Sequence, residues 1–153
     1  MNYINIYNNL VTLTSNKFLY KNIKTKHDNF EDRLIFFHFH FAFFLKIYKQ
    51  SNDKKILQEI YDFVFRQLEL SIREIGYGDQ TINKKMKQYI NLFHGILLEI
   101  NLWEDIDINK KQYCLTKFFH NFYKTDHLLE YFDNYCADLK KNNLNSYLKS
   151  VNK

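Results

Sequence analysis

The sequence predicts an all-α fold, a single-domain bundle of about six helices that spans residues 1–153. Proline is absent and only three glycines occur, so the residues that interrupt helices and shape the turns of β-sandwiches and barrels are nearly missing. Apolar residues recur at helical spacing in each long segment, and no segment shows the alternation that indicates a strand. A chain of this length is able to bury one sizeable core.

The first part of the chain contains two predicted helices. Apolar residues at helical spacing predict an amphipathic helix over residues 3–20, followed by a polar loop. Asp28, with Glu31 three positions later, resembles a capping box at the start of the second helix. This helix is expected over residues 30–49. It is apolar on nearly every face, which places it inside the bundle.

Four further helices are predicted after a break at residues 51–53. Their apolar stripes fall on residues 57–75, 82–100, 115–122 and 128–139. Asp105 and Asp107 precede the third of these helices, and Thr125 is in position to cap the last. The polar segment 142–153 is expected to fray.

Two of the three glycines lie in one short segment between the third and fourth predicted helices. Gly76 and Gly78 are suited to the positive φ that ends a helix and turns the chain. Asp79 is suited to capping the next helix, because its carboxylate can accept from unpaired backbone N–H groups. These three residues are expected to define a tight Gly-x-Gly-Asp turn.

The residues around this turn resemble a family signature. Residues 73–79 read Arg-Glu-Ile-Gly-Tyr-Gly-Asp, and Lys85-Met86-Lys87 and Phe93-His94-Gly95 follow. This pattern is similar to that of the ubiquinol–cytochrome c chaperone family, in which a Lys-apolar-Lys helix ending in an aromatic-Gly pair follows the turn. Phe30-Glu31-Asp32-Arg33 resembles the family's first helix. The resemblance is strongest over residues 30–102.

The resemblance implies an assembly chaperone for respiratory complex III that binds newly made cytochrome b before subunit assembly. It implies a non-catalytic protein without a cofactor, in peripheral contact with anionic lipid at the cytoplasmic face of the bacterial inner membrane. It leaves open whether a small partner subunit is needed. An aromatic groove in the Phe-rich bundle is the expected client site. Arg73, Glu74 and Tyr77 are expected on the recognition surface.

The composition indicates which classes of partner and which cellular compartment to expect. The net charge is +5, which favours anionic membranes, nucleic acid or acidic proteins as partners. Cys114 and Cys136 are isolated, as in a reducing compartment, and the first residues lack a basic signal-peptide start. The longest apolar run, residues 34–45, is shorter than the roughly 20 residues of a membrane-spanning helix. A bacterial cytoplasmic protein is predicted.

Three lysines form a second candidate site. Lys84, Lys85 and Lys87 fall in the first turns of the predicted fourth helix, where the helix dipole disfavours cations by about 0.3–1 kcal/mol each. Two interpretations stay open: a basic patch presented to acidic lipid, RNA or an acidic segment, or a solvated lysine face. The first supports an alternative function, a basic helical module that binds RNA or the ribosome. Nucleic acid is otherwise not an expected partner.

No catalytic or metal site is predicted. His38 and His40 stand two apart on a helix and therefore point to different faces, which favours core histidines over metal ligands. His127-x-x-Glu130 reverses the order of the Glu-x-x-His pairs found in di-iron bundles. No nucleophile, base and orienting group can be assembled, so an enzymatic function is disfavoured.

Overall fold

A computed structural model describes residues 2–25, 29–51 and 53–149, and within these it contains seven α-helices and no strand. The helices are α1 (Ile4–Thr14), α2 (Phe30–Tyr48), α3 (Lys54–Arg73), α4 (Asp79–Ile100), α5 (Ile108–Phe118), α6 (Asp126–Lys141) and α7 (Leu144–Lys149). The all-α prediction is confirmed. Within these ranges the structure has one helix more than the expected six. This helix, α7, lies in the segment expected to fray and packs on α1. Residues 150–153 of that segment lie outside the described residues.

Helix α2 is the centre of the bundle and packs against α1, α4 and α6. Its six phenylalanines between positions 36 and 44 are at most 6% exposed. The Phe41 ring meets Phe65 and Phe93, with centroids 6.0 and 5.3 Å away. Such aromatic pairs contribute about 0.5–1.5 kcal/mol beyond the area they bury. The prediction of a buried second helix is confirmed, and its rings form the core rather than an open aromatic groove.

The two histidines of α2 are core residues. Burial lowers the pKa of His40 to about 4. Its Nδ1 donates to the carbonyl oxygen of Phe36 over 2.7 Å, because a carbonyl can only accept. Nε2 therefore accepts from the Tyr131 hydroxyl, also at 2.7 Å. Burial lowers the pKa of His38 to about 3, although an interaction with the Tyr89 backbone acts in the opposite direction.

The capping side chains of two helices and the end of one helix differ from the sequence-based expectation. Helix α1 ends at Thr14 because the Asn16 side chain accepts from the Phe18 backbone N–H at 3.0 Å and begins a separate 3₁₀ turn. Asn29 caps α2 by accepting from the backbone N–H of Asp32 at 2.8 Å. Asp28, the expected cap, lies outside the described residues.

The cap of α6 is the third difference. Thr125 occupies the N-cap position, but its side chain makes no capping hydrogen bond. Its buried hydroxyl instead donates to Oε1 of Gln112 on α5 over 2.9 Å. The prediction that the Thr125 side chain caps α6 is therefore wrong, because its hydroxyl joins the start of α6 to α5. In the described part of the chain, no helix combines the length and the apolar character that crossing a bilayer requires.

Candidate functional site

The connection between α3 and α4 is the first candidate surface, called here the turn surface (residues 70–87). Gly76 has φ +102°, a backbone conformation that side-chain-bearing residues rarely adopt. Gly78 has φ −73° and ψ 161° and is the N-cap of α4. The expectation of a positive φ at both glycines is therefore correct for Gly76 and wrong for Gly78.

Asp79 links the two helices instead of capping α4. It is the first residue of α4, and its Oδ1 accepts from Nη1 of Arg73 over 2.7 Å. Nε of Arg73 also donates to Glu69 at 3.3 Å. These contacts, led by the hydrogen bond to Asp79, raise the pKa of Arg73. The carboxylate at the α4 N-terminus is favoured by the helix dipole as well. Glu74 is exposed beside them.

Apolar side chains project from the turn surface. Leu70, Ile75 and Tyr77 are 42%, 60% and 43% exposed. Nζ of Lys85 lies 4.8 Å from the centroid of the Tyr77 ring, within the range of a cation–π contact. The structure therefore brings together Tyr77, expected on the recognition surface, and Lys85, one of the three lysines of the second candidate site.

The three predicted lysines do not form one patch. Lys84 and Lys87 are exposed and stand three positions apart on α4, so they share a helix face. Lys85 is half-buried beside Tyr77. Only two of the three ammonium groups are therefore presented together to solvent.

A second candidate surface lies at the other end of α3 and α4. It is a groove of about 520 Å³ between the C-terminal end of α2, the first turns of α3 and the last turns of α4. We call it the α2–α3–α4 groove; it is lined by Leu45, Lys49, Lys54, Leu57, Gln58, Tyr61, His94 and Leu97. The Tyr61 hydroxyl and Nε2 of His94 are joined by a 2.9 Å hydrogen bond on its wall. Burial raises the pKa of Tyr61.

The groove continues onto an exposed apolar edge and a basic rim. Leu98 on α4 and Leu102, two residues beyond its end at Ile100, are 77% and 57% exposed. On the rim, Glu104 pairs with Nζ of Lys46 at 2.9 Å and also with Lys140. Sequence reasoning missed this surface. The available signal was the i, i+4 spacing of Leu98 and Leu102 outside the core stripe of α4.

Neither surface holds a metal-binding cluster. Among the residues that the structure describes, no group of three His, Cys, Asp or Glu side chains is placed to bind a metal ion. Cys114 and Cys136 are buried free thiols. Burial raises the pKa of Cys114 to about 12, which keeps this thiol in its unreactive protonated form at neutral pH.

A comparison with family models matches residues 26–102, half of the 153-residue chain, to the ubiquinol–cytochrome c chaperone family. The chain belongs to this family. Ubiquinol–cytochrome c chaperones are assembly proteins of complex III, so membership implies an assembly role and a non-catalytic protein. The comparisons with curated proteins and with solved structures returned no match.

The chaperone family match covers the helices that form both surfaces. Residues 26–102 include the whole of α2, α3 and α4, which matches the resemblance found over residues 30–102. The turn surface lies wholly within this region. The groove walls also lie within it, whereas Glu104 and Lys140 of the rim lie beyond it.

Proposed function

We propose that this chaperone binds newly made cytochrome b before complex III is assembled, at the cytoplasmic face of the inner membrane. The family match carries the proposal, because it covers α3, the turn after it and α4, where Leu70, Ile75, Tyr77 and Leu98 are exposed to solvent. The remaining aromatic core is closed, so the client must be bound on these surfaces rather than inside the bundle. The work of the protein is to cover apolar client segments by non-covalent contact.

The turn surface supplies specific contacts in this proposal. Tyr77, Arg73 and Glu74 face the client or a partner subunit, and Gly76, Gly78 and Asp79 fix the geometry that presents them. Lys84, Lys85 and Lys87 add positive charge at the start of α4. Lysines close to an anionic membrane contribute about 1 kcal/mol each to attraction, so the same surface favours peripheral membrane contact.

Affinity purification of the tagged full-length chain from its host, in mild detergent, tests the proposal. We expect cytochrome b to co-purify, whereas a subunit of cytochrome oxidase does not. The double variant Ile75→Ser/Tyr77→Ala should reduce recovered cytochrome b at least about tenfold, since clustered aromatic anchors dominate interface energies. Tyr123→Ala is the matched control, because Tyr123 is 73% exposed and lies outside the family match. Equal recovery with both variants would contradict a role for the turn.

The alternative function, a module that binds RNA or the ribosome, predicts a different result. Nucleic-acid binders gain affinity from several phosphate contacts and lose it steeply with salt. Lys84 and Lys87 are the two lysines exposed together at this site. Recovery of ribosomal RNA in place of cytochrome b, lost on raising the salt concentration, would favour the alternative.

A further inference from the structure

The shape of the α2–α3–α4 groove identifies the kind of surface it binds. Leu57 on its floor is buried, Leu45 and Leu97 are half-buried, and Leu98 at its edge is 77% exposed. The apolar floor is therefore recessed below the edge. A recessed, mostly apolar groove with a few polar groups around it is the usual form of a binding site. Its occupant must be convex and apolar to reach the floor.

The charges on the rim identify the polar character of the occupant. The rim carries four ammonium groups, of Lys46, Lys49, Lys54 and Lys140, and the two carboxylates of Glu104 and Asp105. Glu104 is already shared between Lys46 and Lys140. Within the described residues, Lys49 and Lys54 form no ion pair. An acidic group on the occupant would complement them.

We propose that the α2–α3–α4 groove binds one apolar helical segment of the client protein, with acidic residues at one end of that segment placed against Lys49 and Lys54. The inference rests on the proposed function and adds to it a second, separate contact surface and the chemistry of the segment bound there. Leu98 and Leu102 flank the bound helix, and Leu45 and Leu97 contact its apolar stripe. This is the helix-in-groove mode of peptide recognition.

A flat anionic membrane fits the groove less well than a helix does. Membrane contact requires apolar side chains that project beyond the basic residues around them. Leu98 and Leu102 project in this way, but the floor at Leu57 is buried beneath the rim. A bilayer surface would leave the floor unfilled, whereas a helix lying in the groove would cover it.

Site-specific photocrosslinking in growing cells tests the inference on the full chain. The photoreactive amino acid p-benzoylphenylalanine replaces Leu98, Tyr77 or Tyr113 in separate strains, and adducts are probed with antibody to cytochrome b. Tyr113 is the matched control because it is 69% exposed on α5. We expect a cytochrome b adduct from positions 98 and 77 and none from position 113. Absence of the adduct at 98 with retention at 77 overturns the groove inference alone; absence at both overturns the proposed function as well.

The acidic end of the segment is tested by charge reversal. Lys49→Glu/Lys54→Glu should lower the adduct yield from position 98 about fivefold, from the loss of two partly exposed ion pairs. Lys49→Arg/Lys54→Arg keeps the charge and should keep the yield. Unchanged yield in the charge-reversed variant, with lost binding to phosphatidylglycerol vesicles, would show that these lysines contact lipid and would overturn this part of the inference.

Discussion

The backbone of Gly76 is the single-residue feature on which the turn surface depends most. Its φ of +102° is strained for any residue with a side chain, and such strain costs about 1–3 kcal/mol. We therefore expect Gly76→Ala to lower the free energy of unfolding by that amount, measured by urea denaturation. Gly78→Ala is the matched control. Gly78 has φ −73° and open space around its α-carbon, so it should change stability by less than about 1 kcal/mol. Equal effects would contradict the account.

His38 makes stability depend on pH. The pKa of a histidine in the unfolded chain is about 6.5, whereas burial lowers that of folded His38 to about 3. As the pH falls below about 6.5, the unfolded chain binds a proton that the folded chain does not, so stability decreases. Between pH 6.5 and 4, the unfolding free energy of the His38→Phe variant should change less steeply with pH than that of the wild type, by about 1 kcal/mol per pH unit.

The control for this pH effect is His120→Asn, since His120 is exposed. Its urea-unfolding midpoints should follow the wild-type pH dependence. Parallel pH curves for the wild type and His38→Phe would show that His38 binds its proton equally well in the folded and unfolded chains, which contradicts its burial among Phe65 and Phe93.

Residue identity alone predicts roles that depend on local sequence and fails for roles that depend on distant partners. The core placement of His38 and His40 was predicted correctly from their residue type and their apolar neighbours. The capping roles predicted for Thr125 and Asp79 were wrong. Each side chain meets a partner elsewhere in the fold, Gln112 and Arg73 respectively, and such partners are not visible in a local pattern.

At the level of elements, the phenylalanine-rich part of α2 is predicted to be structural, and only the C-terminal end of α2, at Leu45, lines the groove. Phe41 is fully buried, so Phe41→Ala should lower the free energy of unfolding by about 3–5 kcal/mol. Phe18→Ala, at a ring that is 45% exposed, should cost about 1 kcal/mol. Urea denaturation followed by the fluorescence of Trp103, the single tryptophan, measures both. A small effect at Phe41 would mean that α2 retains open aromatic surface.

The helices themselves were predictable because their apolar periodicity is a local property of the chain. The α2–α3–α4 groove was not, because it arises where the ends of three helices meet. Leu45, Leu57 and Leu97 each belong to a core-facing stripe in the sequence. Only the packing of the helices leaves these leucines beside open space.

At the level of the whole molecule, the two candidate surfaces occupy opposite ends of α3. Leu57 and Arg73 are separated by a helical rise of about 24 Å. Because the surfaces are this far apart, we expect them to contact two parts of the client, or the client and a partner. The losses of client-binding free energy caused by variants of the two surfaces should therefore add.

Deletion of the gene in its host tests the central claim most directly, with b-type haem measured by reduced-minus-oxidised spectra and complex III subunits by immunoblot. We expect specific loss of cytochrome b while other respiratory complexes persist. The wild-type chain and Tyr123→Ala should restore it, and Ile75→Ser/Tyr77→Ala should not. Unchanged cytochrome b in the deletion strain would contradict the proposed function.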